Sequence, residues 1–494
     1  MSRQPNTFES EYFQDNIRQI FLADEQETVL AAGDRPFDVV AEALADVPQV
    51  AVIGWSSQGP AQAQNLRESL AAAGSDTRVV VGLRNGSPSR PQAEAAGFDL
   101  ASGTLMTVED ALGGSAMSLM LIADSAMAQD GHELVGMMPS GATLGLSHGF
   151  WRGHLEAQGE TPRGDIDIVG VCPKGMGPSV RYLYEQGSGI NSSYALTQGS
   201  QEARERALAW SVGIGAPYTF QTTLENEWRS DIFGERAILL GGVHGIVEAM
   251  YAWKRQNNIG SEQAYIESVE SLVGPISEII SHQGLTGVFE RLDGEERGAF
   301  VKAYEAGYPV LKQLISKIYN DVSSGREIGE VVSDNKNNTP MTRVDGTDMW
   351  RAGERVRAGR GDVRHDAVSI DPTVAGIYVA GMMAQVDTLR ENGHYWSEVV
   401  NESIIEAVDS LNPFMRARGV AFMVDNCSVT ARRGSRKWAP LFQAWIAQGV
   451  LPVIDGTAKR EDSHSYFTDF LNHDVHGVLR TLGEMRPDID IAVA

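Results

Sequence analysis

Five short apolar runs recur between residues 49 and 171, and the stretches separating them carry helical periodicity. The runs are Gln49–Gly54 (QVAVIG), Arg78–Leu83 (RVVVGL), Met117–Ile122 (MSLMLI), Thr143–Leu146 (TLGL) and Ile166–Val171 (IDIVGV). Runs this short and this continuously apolar are strands buried on both faces, and strands alternating with helices form βαβ units with a parallel sheet. The pattern predicts an α/β fold, a Rossmann-like doubly wound domain over residues 49–217, with its ligand at the carboxyl ends of the strands. Residues 1–48 read as an irregular N-terminal arm. Residues 218–494 read as all-helical, and a chain of 494 residues is long enough for this second core.

The first strand runs straight into Gly54-Trp-Ser-Ser-Gln-Gly59 and then a helical stretch, the position of a GxGxxG fingerprint. There, backbone N–H groups and a helix N-terminus receive a pyrophosphate, with Gly54, Ser56, Gln58 and Gly59 as candidate contacts. Ser56 replaces the middle glycine, so this run alone reads equally as an ordinary strand–turn–helix. The second strand ends in Leu83-Arg84-Asn-Gly-Ser87-Pro-Ser89, where an NAD site would usually carry Asp or Glu. A forked cation and two hydroxyls suit a 2′-phosphate, although Asn-Gly-Ser-Pro is also turn composition. Position favours the first reading, and with it NADPH.

Composition excludes several classes. A net charge of −24 gives nothing with which to neutralise nucleic-acid phosphates, and disfavours an anionic membrane surface. No stretch of about 18 apolar residues is present to span a bilayer. Cys172 and Cys427 are too few for a disulfide framework and fit a reducing compartment. The N-terminus lacks an apolar h-region and an Arg-rich transit pattern, so a cytoplasmic location is expected; plastid stroma is the alternative if a transit peptide has been removed.

In the helical region, Asp231 and Glu235 stand four residues apart, as do Glu402 and Glu406. That spacing puts each pair on one helix face, where like charges repel and a cation between them is a natural remedy. Oxygen ligands without Cys or His favour Mg²⁺ over zinc, whereas an isolated ExxxE is more often a solvated face. His148 (LSHGF) and Lys174 (CPKG) fall at carboxyl ends of predicted strands. The cluster Arg432–Lys437 reads as a solvated turn, and Trp350–Asp366 and Asn335–Asn338 as loops.

Taken in order, GWSSQGPAQAQNLR, GLRNGSPS, GLSHGF, VCPKGMGPSVR, LENEWRSDIFGERAILLGGVHGIVE and NESIIEAVDSLNPFMRARGVAFMVDNCSVTARRGSRKWAP resemble ketol-acid reductoisomerase (acetohydroxy-acid isomeroreductase) in its plant-like long form, class II. The likeness runs from about residue 50 to the end. It departs at Ser56, where the family has glycine, and at Ala123-Asp124, where a Ser-Asp pair lies near the cofactor. The resemblance implies Mg²⁺-dependent alkyl migration of 2-acetolactate, or of 2-aceto-2-hydroxybutyrate, followed by reduction with NADPH to a 2,3-dihydroxy-3-methyl acid. It implies two Mg²⁺, with Asp231 bridging, Glu235 completing one site and Glu402 and Glu406 serving the other. By the same resemblance Glu227 supports the substrate site, Ser428 binds the substrate carboxylate, His148 and Lys174 are active-site groups, and Asp124 lies at the cofactor. Which of His148, Lys174, Glu402 or a metal-bound hydroxide moves the proton stays open. A knotted helical domain and a homo-oligomer, dimer or tetramer, are also implied.

A weak internal repeat accompanies this. Ser261-Glu262 and the helix containing Glu270 align with Ser397-Glu398 and the helix containing Glu406. Ile266 then takes the place of Glu402, and Ala367 and Asp371 those of Asp231 and Glu235. Each copy, about 218–350 and 351–494, keeps half of a site, so one chain could complete a centre that the family's short form builds across two subunits. The rival readings are another NADP-dependent hydroxy-acid dehydrogenase, which needs no carboxylate pairs, and a non-catalytic NADPH-binding protein, which has no reason to keep them.

Overall fold

The computed structural model describes residues 6–360, 368–460 and 462–486. They divide into two compact units. The first takes in residues up to Trp228 together with Ile328–Lys336 and 481–486, and the second is the rest.

The first unit is built on ten strands: β1 (Ile17–Leu22), β2 (Glu25–Ala31), β3 (Gln49–Ile53), β4 (Arg78–Gly82), β5 (Leu105–Met106), β6 (Met117–Met120), β7 (Thr143–Leu146), β8 (Asp167–Pro173), β9 (Ser192–Gln198) and β10 (Tyr218–Gln221). They form one sheet in the order β1-β2-β10-β9-β8-β7-β6-β3-β4-β5. From β5 through β8 every pairing is parallel, while β9 runs antiparallel to β8 and β2 antiparallel to β10. Strand periodicity of two divides the apolar runs between two cores. Val50 and Val52 of β3 join one with Leu66, Leu70 and Trp210; Ala51 and Ile53 join the other with Leu112, Met127 and Trp151. Helices therefore cover both faces. The chain steps from β3 to β4 and β5 on one side and to β6 on the other, which opens a crevice at the carboxyl ends of β3 and β6.

Two expected boundaries shift. The expected arm is not irregular over its described residues, 6–48: β1 and β2 form a hairpin, the helix Phe37–Ala43 follows, and β2 pairs with β10 through Tyr218↔Ala31 and Phe220↔Val29. Glu and Gln in IRQIFL and EQETVLA mask this pairing in the sequence. The helical region consequently begins at Leu224 and not at 218, because Tyr218–Gln221 is a sheet strand.

The second unit is helical, with its longest helices at Gly294–Ser323, Pro372–Glu391 and Val429–Trp445. One local pattern occurs twice. Ser261–Tyr265 continues into π-helical turns Ile266–Glu270 and Leu272–Ile276, and Trp396–Val400 into Asn401–Ile405 and Ala407–Leu411. Single π turns cluster at functional sites because they re-aim side chains. Two expected loops or turns are helical instead: Trp350–Arg360 within Asp348–Arg360, with 361–366 outside the described residues, and Arg432–Lys437 within Val429–Trp445; of Asn335–Asn338, the first two residues end the helix Arg326–Lys336 and the last two form a turn. The Arg- and Gly-rich segment is held by one apolar face, Met349, Trp350 and Ala352, and Gly353 admits the Tyr265 ring where a Cβ would lie 2.4 Å from it. Ala367 lies outside the described residues. No helix among the described residues is long and apolar enough to cross a membrane.

Candidate active site

At the end of β3 the backbone turns at Gly54 with φ +104°, and a Cβ there would stand 2.7 Å from the Leu121 carbonyl oxygen in the loop after β6. A Cβ on Gly59 would stand 2.4 Å from the Gly54 carbonyl oxygen. Both retained glycines are therefore obligatory, whereas the exposed Ser56 is under no such constraint, which explains how the fingerprint tolerates a serine. The helix Gly59–Ala72 starts here with no side-chain cap, presenting its first-turn amides to the crevice. Gln58 Nε2 donates to the Gly175 carbonyl at 2.9 Å, and Gln62 Nε2 to Ser147 Oγ at 2.8 Å, fixing the loop against the ends of β7 and β8. After β4, Ser87 N–H closes a turn onto the Arg84 carbonyl at 3.0 Å with Gly86 at φ +73°. Ser89 N–H donates to Ser87 Oγ at 3.3 Å. Arg84 is exposed, and both hydroxyls share its turn, beside the strand that carries the glycine loop. These residues fit a nicotinamide dinucleotide.

Four titratable groups gather at the ends of β6, β7 and β8. Asp124 opens the helix after β6, and its Oδ1 is 3.1 Å from His148 Nδ1. Glu227 is buried; its Oε2 accepts the Gly149 N–H at 2.5 Å and its Oε1 is 3.5 Å from Nζ of the buried Lys174. Gly149 has no room for a side chain, since a Cβ would meet the Leu224 carbonyl oxygen at 2.4 Å.

In the second unit, one oxygen each of Asp231, Glu402 and Glu406 lie within 4.8 Å of one another. Glu402 is wholly buried and Glu406 nearly so. Two unit charges 4 Å apart repel by about 4 kcal/mol at the screening typical of protein surfaces, and a divalent cation reverses the sign of that interaction. A donor set made only of carboxylate oxygens fits Mg²⁺. The neighbouring Cys427 reports the same negative field: burial, with Glu235, Glu406 and Asp231 close by, pushes its thiol up to about 12. Glu235 is not in the group of three. Its Oε2 is 3.0 Å from Arg236 Nη1 and its Oε1 accepts from Ser428 Oγ at 3.3 Å. Ser428 also caps the helix Val429–Trp445 by accepting the Ala431 N–H at 3.0 Å.

The counterpart of this site in the repeat, with Glu270 from the first copy and Asp371 from the second, is neutralised by side chains. Glu270, aligned with Glu406, pairs with Arg360 and, at 3.4 Å, with Arg416. Asp371, aligned with Glu235, is 2.5 Å from Lys254 Nζ and caps the helix Pro372–Glu391 through the Thr373 and Val374 amides. Lys254 also meets Glu267 at 2.8 Å. Internal ammonium and guanidinium groups thus stand beside the carboxylates at this counterpart position.

Two residues at the second copy escaped the sequence reading. Gln385 accepts the Ile238 N–H at 2.9 Å and donates to the Glu402 carbonyl at 2.8 Å. Glu398 receives the Ser230 hydroxyl at 2.9 Å. Their signals were a lone amide in the apolar run AGMMAQV and a carboxylate one turn before Glu402.

Comparisons with known proteins bear on both units. A family model described as acetohydroxy acid isomeroreductase, NADPH-binding domain, matches residues 44–219, and one described as ketol-acid reductoisomerase, C-terminal domain, matches residues 224–361. The chain is 45% identical over 489 residues to the chloroplastic ketol-acid reductoisomerase of Pisum sativum, covering 96% of this chain and 84% of that protein. A ketol-acid reductoisomerase (NAD(+)) of Desulfosudis oleivorans is 32% identical over 323 residues, 64% of this chain and 90% of that one. A solved NADH-preferring ketol-acid reductoisomerase from an uncultured archean shares the fold with a TM-score of 0.57 at 23% identity, over 64% of this chain and 96% of that chain.

Proposed function

The chain belongs to the ketol-acid reductoisomerase family, and from that premise we propose that NADPH is its reductant and that Asp231, Glu235, Glu402 and Glu406 hold two Mg²⁺ ions. Its reaction is the family's: an alkyl group migrates between neighbouring carbons of a 2-acetohydroxy acid, and a nicotinamide cofactor reduces the product, within branched-chain amino-acid synthesis. The observation that carries the metal reading is the convergence of Asp231, Glu402 and Glu406 within 4.8 Å.

Bound metal supplies the Lewis acidity that polarises the ketone and stabilises the developing alkoxide. The chain's residues do the rest. Asp231 shares its helix with Glu235 and its cluster with Glu402 and Glu406, which suits a bridging role. Ser428, held at a helix N-terminus, offers its hydroxyl to the substrate carboxylate of 2-acetolactate or 2-aceto-2-hydroxybutyrate. Asp124 orients the His148 ring through Nδ1, and Glu227 balances the buried Lys174 ammonium. The candidate groups for proton transfer are His148, Lys174, Glu402 and a metal-bound hydroxide. Preference for NADPH is supported by Arg84, Ser87 and Ser89, donors sharing one turn where an NAD site would carry an acid.

A homo-oligomer, dimer or tetramer, belongs to the same proposal and is read by light scattering. So does a cytoplasmic location; the chloroplastic relatives of pea and spinach favour the plastid stroma instead, and cell fractionation decides. The central test follows NADPH absorbance with 2-acetolactate, with and without Mg²⁺. Oxidation requiring both substrate and metal is expected. Mg²⁺-independent oxidation would remove the metal reading, and equal rates with NADH would remove the 2′-phosphate reading.

A further inference from the structure

Four buried side chains form a hydrogen-bonded row behind the carboxylate cluster. The Tyr319 hydroxyl, on the helix Gly294–Ser323, is 2.8 Å from His394 Nε2. His394 Nδ1 is 3.0 Å from Glu398 Oε2, and Ser230 Oγ donates to Glu398 Oε1 at 2.9 Å. None of the four is more than 5% exposed. One tautomer satisfies all three contacts. With its proton on Nδ1, the imidazole donates to Glu398 and accepts the Tyr319 O–H at Nε2. The Glu398 carboxylate then receives a hydrogen bond at each oxygen, so its position is fixed from both sides.

That position is specific. Ser230 precedes Asp231 in the chain, and Glu398 lies one helical turn before Glu402. The Ser230–Glu398 bond therefore pins the backbone beside one metal carboxylate to the turn leading into the other two. Further along, Gln385 ties Ile238 to the Glu402 carbonyl. Two buried cross-links thus span the same pair of segments. In the first copy, Glu262 occupies the place of Glu398 but pairs with Arg355 on the surface, and the counterpart residues Glu270 and Asp371 join no carboxylate cluster of three or more among the described residues.

We propose that Glu398 is a positioning residue of the metal centre. Acting through Ser230, it holds Asp231 at its separation from Glu402 and Glu406 against their mutual repulsion before metal arrives. Without it the carboxylates relax apart, and part of the metal's binding free energy is consumed in drawing them together. This rests on the metal reading above. A purely structural row would lower stability on mutation and leave metal affinity untouched.

The test measures Mn²⁺ binding by the electron paramagnetic resonance of free Mn²⁺, on wild type, Ser230→Ala, Tyr319→Phe and Asp231→Asn, alongside NADPH binding by fluorescence. Outer-shell partners of metal ligands typically govern about 10–100-fold in affinity. Ser230→Ala is expected to raise the Mn²⁺ dissociation constant within that range while NADPH affinity stays at the wild-type value. Tyr319→Phe, trimmed of one hydroxyl at the far end, is expected to shift it several-fold the same way. Wild-type affinity in Ser230→Ala overturns the positioning role; should that variant misfold, wild-type affinity in Tyr319→Phe does so. Wild-type protein that binds no Mn²⁺, or Asp231→Asn that binds it normally, overturns the metal reading instead.

Discussion

The side-chain amide of Gln385 bridges two buried backbone groups: its Nε2 donates to the Glu402 carbonyl at 2.8 Å while its Oε1 accepts the Ile238 N–H at 2.9 Å. Ile238 lies just beyond the helix that carries Asp231 and Glu235, so the bridge joins both carboxylate-bearing segments. Gln385→Met keeps the volume and removes the bridge. Each buried backbone group deprived of its partner costs roughly 1–3 kcal/mol. The variant is expected to lose about 2–6 kcal/mol in urea unfolding, and to need more Mg²⁺ for half-maximal turnover. A loss of stability with an unaltered Mg²⁺ requirement would confine the bridge to a packing role.

Asp231→Asn separates stability from function. In metal-free buffer the wild type holds three carboxylates within 4.8 Å, and removing one charge relieves about 1–4 kcal/mol of repulsion per neighbour, depending on screening. The variant is therefore expected to melt at a higher temperature than wild type in EDTA, while losing both the Mg²⁺-induced rise in Tm and all turnover. NADPH binding, measured by fluorescence, is expected to persist. A variant less stable than wild type in EDTA would mean the cluster is neutralised by some other means.

The turn after β4 is the proposed determinant of cofactor choice. Arg84→Asp combined with Ser87→Asp replaces donors by the acids that suit a ribose 2′-hydroxyl and repel a 2′-phosphate. Each charge-assisted hydrogen bond lost costs about 1.5–3 kcal/mol, so the ratio of kcat/KM for NADPH over NADH is expected to fall by at least roughly tenfold. An unchanged ratio would show that the phosphate is read elsewhere.

How far these features can be seen in the sequence depends on how local their causes are. The strands β3, β4, β6, β7 and β8 stand out because burial on both faces makes each an unbroken apolar run. The hairpin β1–β2 does not, because Arg18, Gln19, Glu25 and Glu27 interrupt its pattern and its partner β10 lies far along the chain. Gly353 makes a helix with one buried face look like a loop, although its missing side chain is what lets Tyr265 pack against it. The carboxylate pairs were visible as i,i+4 spacings, yet the grouping of Asp231 with Glu402 and Glu406, and not with Glu235, depends on tertiary contact. The bonds that fix the cluster, Ser230–Glu398 and Ile238–Gln385–Glu402, join residues well separated in sequence, and no spacing rule reports them.

Glu327 is linked to Glu235 through Arg236. Its carboxylate accepts from Arg236 Nε at 2.9 Å, Lys437 Nζ at 2.7 Å and Trp438 Nε1 at 3.0 Å, with Glu327 and Arg236 both buried. Burial alone would raise its pKa, but Arg236 and Lys437 outweigh burial and hold the carboxyl below the usual Glu value. A carboxyl depressed in the folded state stabilises fully above its unfolded pKa, about 4.3, and that contribution drains away as pH falls through the lower folded value. Glu327→Gln leaves a buried guanidinium without its main counter-charge, at an expected cost of about 3–5 kcal/mol at neutral pH. In urea titrations this gap from wild type is expected to narrow as pH falls through the depressed folded pKa, where the wild-type carboxyl also takes up its proton. Arg236 is already 3.0 Å from Glu235. Freed from Glu327, it would hold Glu235 more tightly and withdraw it from its proposed role at the metal. Glu327→Gln is accordingly expected to raise the Mg²⁺ requirement as well as to lower stability. A gap that is independent of pH would exclude the charge pairing as its cause.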